Sequence, residues 1–73
     1  MANLGNVKVG TMMQLSFDGG ETWGEARRVS DVDVSWATYY NEPSAHIRLE
    51  AANGHTSFSL LESEMGRRAR VVG

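Results

Sequence analysis

Apolar and polar positions alternate along much of the chain. Val7, Val9, Met13, Leu15 and Phe17 hold odd positions while Lys8, Gln14 and Ser16 hold even ones, the period of a half-buried strand with a break at Gly10. Asp18-Gly19-Gly20-Glu21 follows, and glycines that tolerate positive φ make this a hairpin signal. A return strand is predicted over Trp23 to Val29. Val32, Val34 and Trp36 then fall on even positions among Asp31, Asp33 and Ser35, so a bulge near Ser30 is needed to reset the phase. Trp36 is assigned to the core. Tyr39 and Tyr40, adjacent on an extended segment, point to opposite faces, leaving one exposed.

Asn41-Glu42-Pro43-Ser44 reads as a turn, because Pro43 drives Glu42 out of helical dihedrals. Ala45, Ile47, Leu49 and Ala51 alternate with His46, Arg48 and Glu50 as a further strand. Asn53-Gly54 favours a type I′ turn, which makes His46 to about Leu60 a second hairpin with Phe58 and Leu60 inward. Ser59 and Glu62 have capping-box spacing and Gly66 offers a left-handed C-cap, so a short helical turn is expected near residues 60–65 with Leu61 and Met65 on one face. The segment 67–72 is a last strand or a frayed tail. The fold class is mostly β: a small antiparallel barrel or curved sheet of four to five strands with one short helical turn. Its element order resembles SH3-like and Tudor-like barrels, and element order says little about activity.

Composition narrows the functions open to such a fold. Seventy-three residues, 41% of them apolar, make one small β domain spanning 1–73, whose residues 1–6 are expected to be flexible. A chain this short buries roughly 60% of its unfolded surface, leaving little room for a deep pocket. There is no cysteine, hence neither a disulfide staple nor a thiolate metal cage, and a reducing, cytoplasmic setting is expected. No apolar run approaches the roughly 20 residues of a membrane span. The net charge of -2 argues against nucleic acid as a direct ligand.

Three constellations invite a chemical reading. Ser16-Phe17-Asp18-Gly19-Gly20-Glu21-Thr22-Trp23 resembles the Asp-box of sialidases, S-x-D-x-G-x-T-W, at every specified position. Its Asp can accept backbone N–H bonds inside the turn beneath the Trp ring, so the motif closes a loop rather than performing chemistry. Asp31, Asp33, Ser35 and, at the twelfth position, Glu42 match calcium-loop spacing, but Trp36 stands where such a loop requires Gly. His46 and His55, facing across a hairpin, lack the third ligand of a zinc site. No nucleophile elbow and no phosphate loop are present. The expectation is a protein without catalytic residues, cofactor or metal.

Interface candidates remain. Arg67, Arg68 and Arg70 form a basic cluster, with Arg68 and Arg70 on one face of a terminal strand, able to meet phosphate or an acidic surface; the alternative is a solvated tail offsetting Glu62 and Glu64. Tyr40 beside arginine has the character of an interface anchor. Leu4, Val7 and Val9, with Lys8 as a charged neighbour, make an N-terminal segment suited to adding to a partner's sheet or lying in its groove. In length, absence of cysteine and lack of enzymatic motifs the chain is similar to the small phage-encoded regulators of bacterial RNA polymerase. That resemblance, one of size and type, implies a non-enzymatic protein that occupies a surface of a larger host machine, inhibiting transcription or promoting antitermination. The alternatives are a carbohydrate- or nucleic-acid-binding β barrel and a virion assembly or decoration protein.

Overall fold

The computed structural model describes residues 4–72. In these described residues five strands, β1 (Met12–Leu15), β2 (Arg27–Ala37), β3 (Glu42–Ala51), β4 (Gly54–Leu61) and β5 (Ala69–Val72), form one antiparallel sheet in the order β4-β3-β2-β1-β5. The sheet is not closed, so the curved sheet, not the barrel, is the observed form. Among the described residues only two short 3₁₀ turns, Leu4–Asn6 and Glu62–Glu64, accompany it.

The long strands form because their alternation is uninterrupted. On β3, Ala45, Ile47 and Leu49 are buried while His46, Arg48 and Glu50 are exposed. Paired residues share a face, so Val32 and Val34 of β2, Ala45 and Ile47 of β3, and Phe58 and Leu60 of β4 line one side. Leu4, Val7, Met13, Val29 and Ala69 complete the core there. The register slips between Val29 and Asp31, the bulge required by the phase change. There the Ser30 hydroxyl donates to the Arg48 carbonyl at 3.1 Å.

Several expectations are corrected. Val7 to Val9 is not a strand: Gly10 at φ 96° closes a turn in which the Thr11 hydroxyl donates to the Lys8 carbonyl at 2.6 Å, and pairing starts only at Met12. The flexible segment expected over 1–6 falls partly on residues 1–3, outside the described residues; from Leu4 the chain forms a 3₁₀ turn whose first side chain is buried. Phe17 does not point inward but is 94% exposed, because Ser16 turns inward in its place to bond the following loop. The return strand begins at Arg27 rather than Trp23, since that loop uses the intervening chain.

The turn foreseen at Asn41 to Ser44 lies upstream. Asn41, at φ 56°, donates its N–H to the Ala37 carbonyl at 2.7 Å, and Glu42 and Pro43 already belong to β3. In the second hairpin Gly54 (φ 129°), not Asn53, carries the positive φ, so the turn is not type I′. The helical turn is a single 3₁₀ turn starting at Glu62. Ser59 is drawn into β4 opposite His46, and the capping carboxylate is that of Glu64, which accepts the Leu61 N–H at 2.9 Å. Gly66 closes the segment at φ 89°, as its position suggested.

Candidate protein-binding surface

The Asp18 loop consumes its own polar groups. Ser16, nearly inaccessible, accepts the Gly20 N–H at 2.9 Å and donates to Asp18 Oδ1 at 2.7 Å. Asp18 Oδ1 also accepts the backbone N–H groups of Glu21 (3.1 Å) and Thr22 (3.0 Å), while Oδ2 accepts the Thr22 hydroxyl. These bonds, the Thr22 hydroxyl first, hold the Asp18 carboxyl well below its ordinary value of 3.8. The loop lies against the chain after the 3₁₀ turn: a Cβ on Gly20 would stand 3.3 Å from the Gly66 carbonyl oxygen. From the next strand, Arg70 stacks its guanidinium 4.2 Å above the Trp23 ring and donates to Gln14 at 2.9 Å. Both Asp18 carboxylate oxygens thus bond within the loop, Oδ1 three times and Oδ2 once, so the carboxylate acts as the clasp of the turn.

The opposite end of the β2–β3 hairpin is built differently. Trp36 pairs with Pro43, but β4 has already ended opposite Ser44, so no third strand continues this end of the apolar face. Trp36 (59%) is therefore exposed, which corrects its core assignment; Val34 (53%) is exposed as well, although its row continues through Ala45 to Leu60 of β4. Tyr39 and Tyr40 sit in the turn, not on an extended segment; both are exposed, at 90% and 59%, with ring centroids 4.9 Å apart in an edge-to-face contact. The backbone below them is satisfied by Ala37, which accepts from Tyr40 (3.1 Å) and Asn41. Their side chains are thus free for a partner while the turn holds its shape.

Behind the tip lies an open hollow of about 320 Å³ lined by Ala37, Tyr40, Ser44, Ser59, Leu61 and Arg68, with Glu64 at its side. This joins Tyr40 to Arg68, two residues singled out in the sequence. Arg68 is committed to Glu64, which its guanidinium meets at 2.8 Å. Burial pulls the Glu64 carboxyl upward, yet the Leu61 N–H, the Arg68 bond and the charges of Arg68 and Arg67 outweigh it and hold the group low. Arg67 donates to the Ser63 carbonyl at 3.3 Å. The arginines therefore do not form one free basic patch: Arg68 serves the hollow, Arg70 the Asp18 loop.

The N-terminal candidates divide as well. Leu4 and Val7 are buried in the core and supply no free contact, a correction to their reading as interface residues; Lys8 and Val9 stay exposed. They neighbour Val29, whose carbonyl accepts the Gly10 N–H at 2.9 Å, about 25 Å of strand rise from Ala37. Tip and N-terminal turn are separate surfaces.

The other constellations come apart in the fold. Asp31 and Asp33 lie on the exposed face of β2, whereas the Glu42 carboxylate accepts the Ser63 N–H (2.7 Å) and hydroxyl (3.1 Å). His46 pairs with Ser59 and His55 with Glu50, four rows apart. Among the described residues no three His, Asp or Glu side chains gather as metal ligands would, and no helix is long and apolar enough to cross a membrane. No protein-family model, curated protein or solved structure matches the chain.

Val34, Trp36 and Tyr39 are the members of this surface that alternation alone did not single out. Their sequence signal is local: two tyrosines precede a turn asparagine at the end of the β2–β3 hairpin, whose pairing runs through Trp36–Pro43 to Ala37–Glu42.

Proposed function

We propose that this chain is a small, non-enzymatic protein-binding regulator that presents the tip of its β2–β3 hairpin to a larger protein. One observation carries the reading: Val34, Trp36, Tyr39 and Tyr40 stand exposed together at one end of the sheet, on a turn whose backbone is internally bonded. Contiguous exposed apolar side chains of this size mark interaction sites, and Trp and Tyr are the side chains most enriched among residues that dominate binding energy. The preformed turn lowers the ordering cost of association. The hollow beside Tyr40, with its neutralised Arg68–Glu64 pair, accepts a partner side chain alongside the tip.

The partner we propose is bacterial RNA polymerase, with the chain as a phage-encoded inhibitor or antiterminator in the host cytoplasm; the likeness in size and type to such regulators supports this choice. The test is capture of purified RNA polymerase from several bacteria by the immobilised full chain, beside the W36A/Y39A/Y40A variant. The reading expects retention by the native chain and at least a tenfold loss for the variant. No retention of any polymerase removes that partner; equal retention by the variant removes the tip as the contact.

A further inference from the structure

The two edges of the sheet differ. One is β5, four residues long and carrying Arg70. The other is β4, eight residues long, Gly-His-Thr-Ser-Phe-Ser-Leu-Leu, with neither proline nor an acidic, lysine or arginine side chain, the devices by which exposed edges are usually protected.

Which backbone groups face outward on β4 follows from the ladder. The Leu61 N–H is given to Glu64, so Ser44 and Leu61 face each other without exchanging a full pair of bonds. Hydrogen-bonded and non-bonded pairs alternate in an antiparallel ladder. Phe58 and Leu60 therefore bond inward to β3, and the N–H and C=O groups of His55, Ser57 and Ser59 point to the open edge. Among the described residues these groups have no other backbone partner.

We infer that β4 is a self-association edge, on which β4 of a second copy of this chain adds antiparallel about a two-fold axis through Phe58. The strand is complementary to itself in that register. Ser57 meets Ser59 of the second copy, twice, with outward backbone groups in bonding position and hydroxyls adjacent on one face. The half-buried Phe58 meets its own counterpart in a non-bonded pair, where Cα atoms approach to about 4.5 Å and side chains touch. Thr56 meets Leu60. No like charges are opposed along the strand. Pairing makes one continuous ten-stranded sheet and, because a strand edge buries less than the roughly 1,200 Å² of a standard interface, the dimer is weak and concentration-dependent. This inference does not rest on the polymerase reading, and its test contains no partner.

Sedimentation equilibrium of the full 8.0 kDa chain from about 10 μM to 1 mM reads the association. The apparent mass is expected to rise toward twice the monomer value. S57K/S59K places like charges opposite each other across the axis and holds the mass at the monomer value throughout. S57K/S59E sets each lysine against a glutamate of the second copy and keeps the dimer, whereas a register centred on Ser57 would oppose lysine to lysine. Both positions are exposed, and far-UV circular dichroism with urea unfolding confirms that each variant is folded. A native chain monomeric at 1 mM, or a dimer indifferent to S57K/S59K, overturns the inference; a monomeric, folded S57K/S59E overturns the register.

Discussion

The loop over residues 16–23 and the turn over residues 38–41 are both conspicuous in the sequence, yet they spend their side chains in opposite ways. In the first, Ser16, Asp18 and Thr22 turn back on their own backbone, and Trp23 is covered by Arg70. In the second, the Ala37 and Thr38 carbonyls accept the N–H groups of the turn, and Tyr39 and Tyr40 stay exposed. A short polar side chain that bonds its own loop serves first to fix the shape of that loop. An aromatic side chain on a self-satisfied turn keeps its whole surface for a partner. The segment that looks most like a functional motif is thus structural, while the plain Tyr-Tyr pair carries the candidate contact.

The contrast is testable in order of effect. Replacing Trp36, Tyr39 and Tyr40 together by alanine should weaken partner binding by about 2–4 kcal/mol in titration calorimetry. Each single replacement should shift urea-unfolding stability by no more than about 0.5 kcal/mol. A large stability loss there would mean that the tip is part of the core. Conversely, Ser16→Ala strands the Gly20 N–H under a closed loop and is expected to cost about 1–3 kcal/mol in urea unfolding while leaving partner affinity unchanged. Removing the guanidinium that caps the loop, Arg70→Met, should cost about 1 kcal/mol by the same measurement, from the lost ring stack and the Gln14 bond.

Acid probes the same loop. Because the Asp18 carboxyl sits low in the folded chain, its ionised form favours folding above the unfolded value near 3.8, and this contribution disappears as pH falls through the folded value. The urea midpoint should therefore decline below about pH 4, and Asp18→Asn should flatten the decline by lowering the midpoint at neutral pH. Glu64 acts in the same direction, so some slope persists in the variant. An unchanged slope would show that the Asp18 bonds do not hold in solution.

Most of the sheet was legible from alternation. The strands over Asp31 to Trp36 and Ala45 to Ala51, the bulge at Ser30, the inward Leu60 and the glycine close at Gly66 follow from period and turn chemistry, whereas the end of the chain, read as a strand or a frayed tail, is the strand Ala69–Val72. What misled is equally specific. Phe17 and Ser16 exchange roles because the Ser16 hydroxyl bonds both the Gly20 N–H and the Asp18 carboxylate, which in turn bonds Glu21 and Thr22, a loop network that no periodicity reveals. Trp36 reads as core because its parity matches Val32 and Val34; only the register, with β4 ending opposite Ser44, shows that the sheet has run out beneath it. Leu4 and Val7 read as loose because they precede the first hairpin, and what buries them is long-range packing on the β2–β4 face.

The most direct test of the central claim is hydroxyl-radical footprinting of the full chain, free and bound to captured partner, read by mass spectrometry residue by residue. Phe17 on the closed loop and Tyr39 on the turn are about equally accessible in the free protein. The account predicts that binding shields Trp36, Tyr39 and Tyr40 and leaves Phe17 as reactive as before. Shielding of Phe17 with an unchanged tip would contradict it.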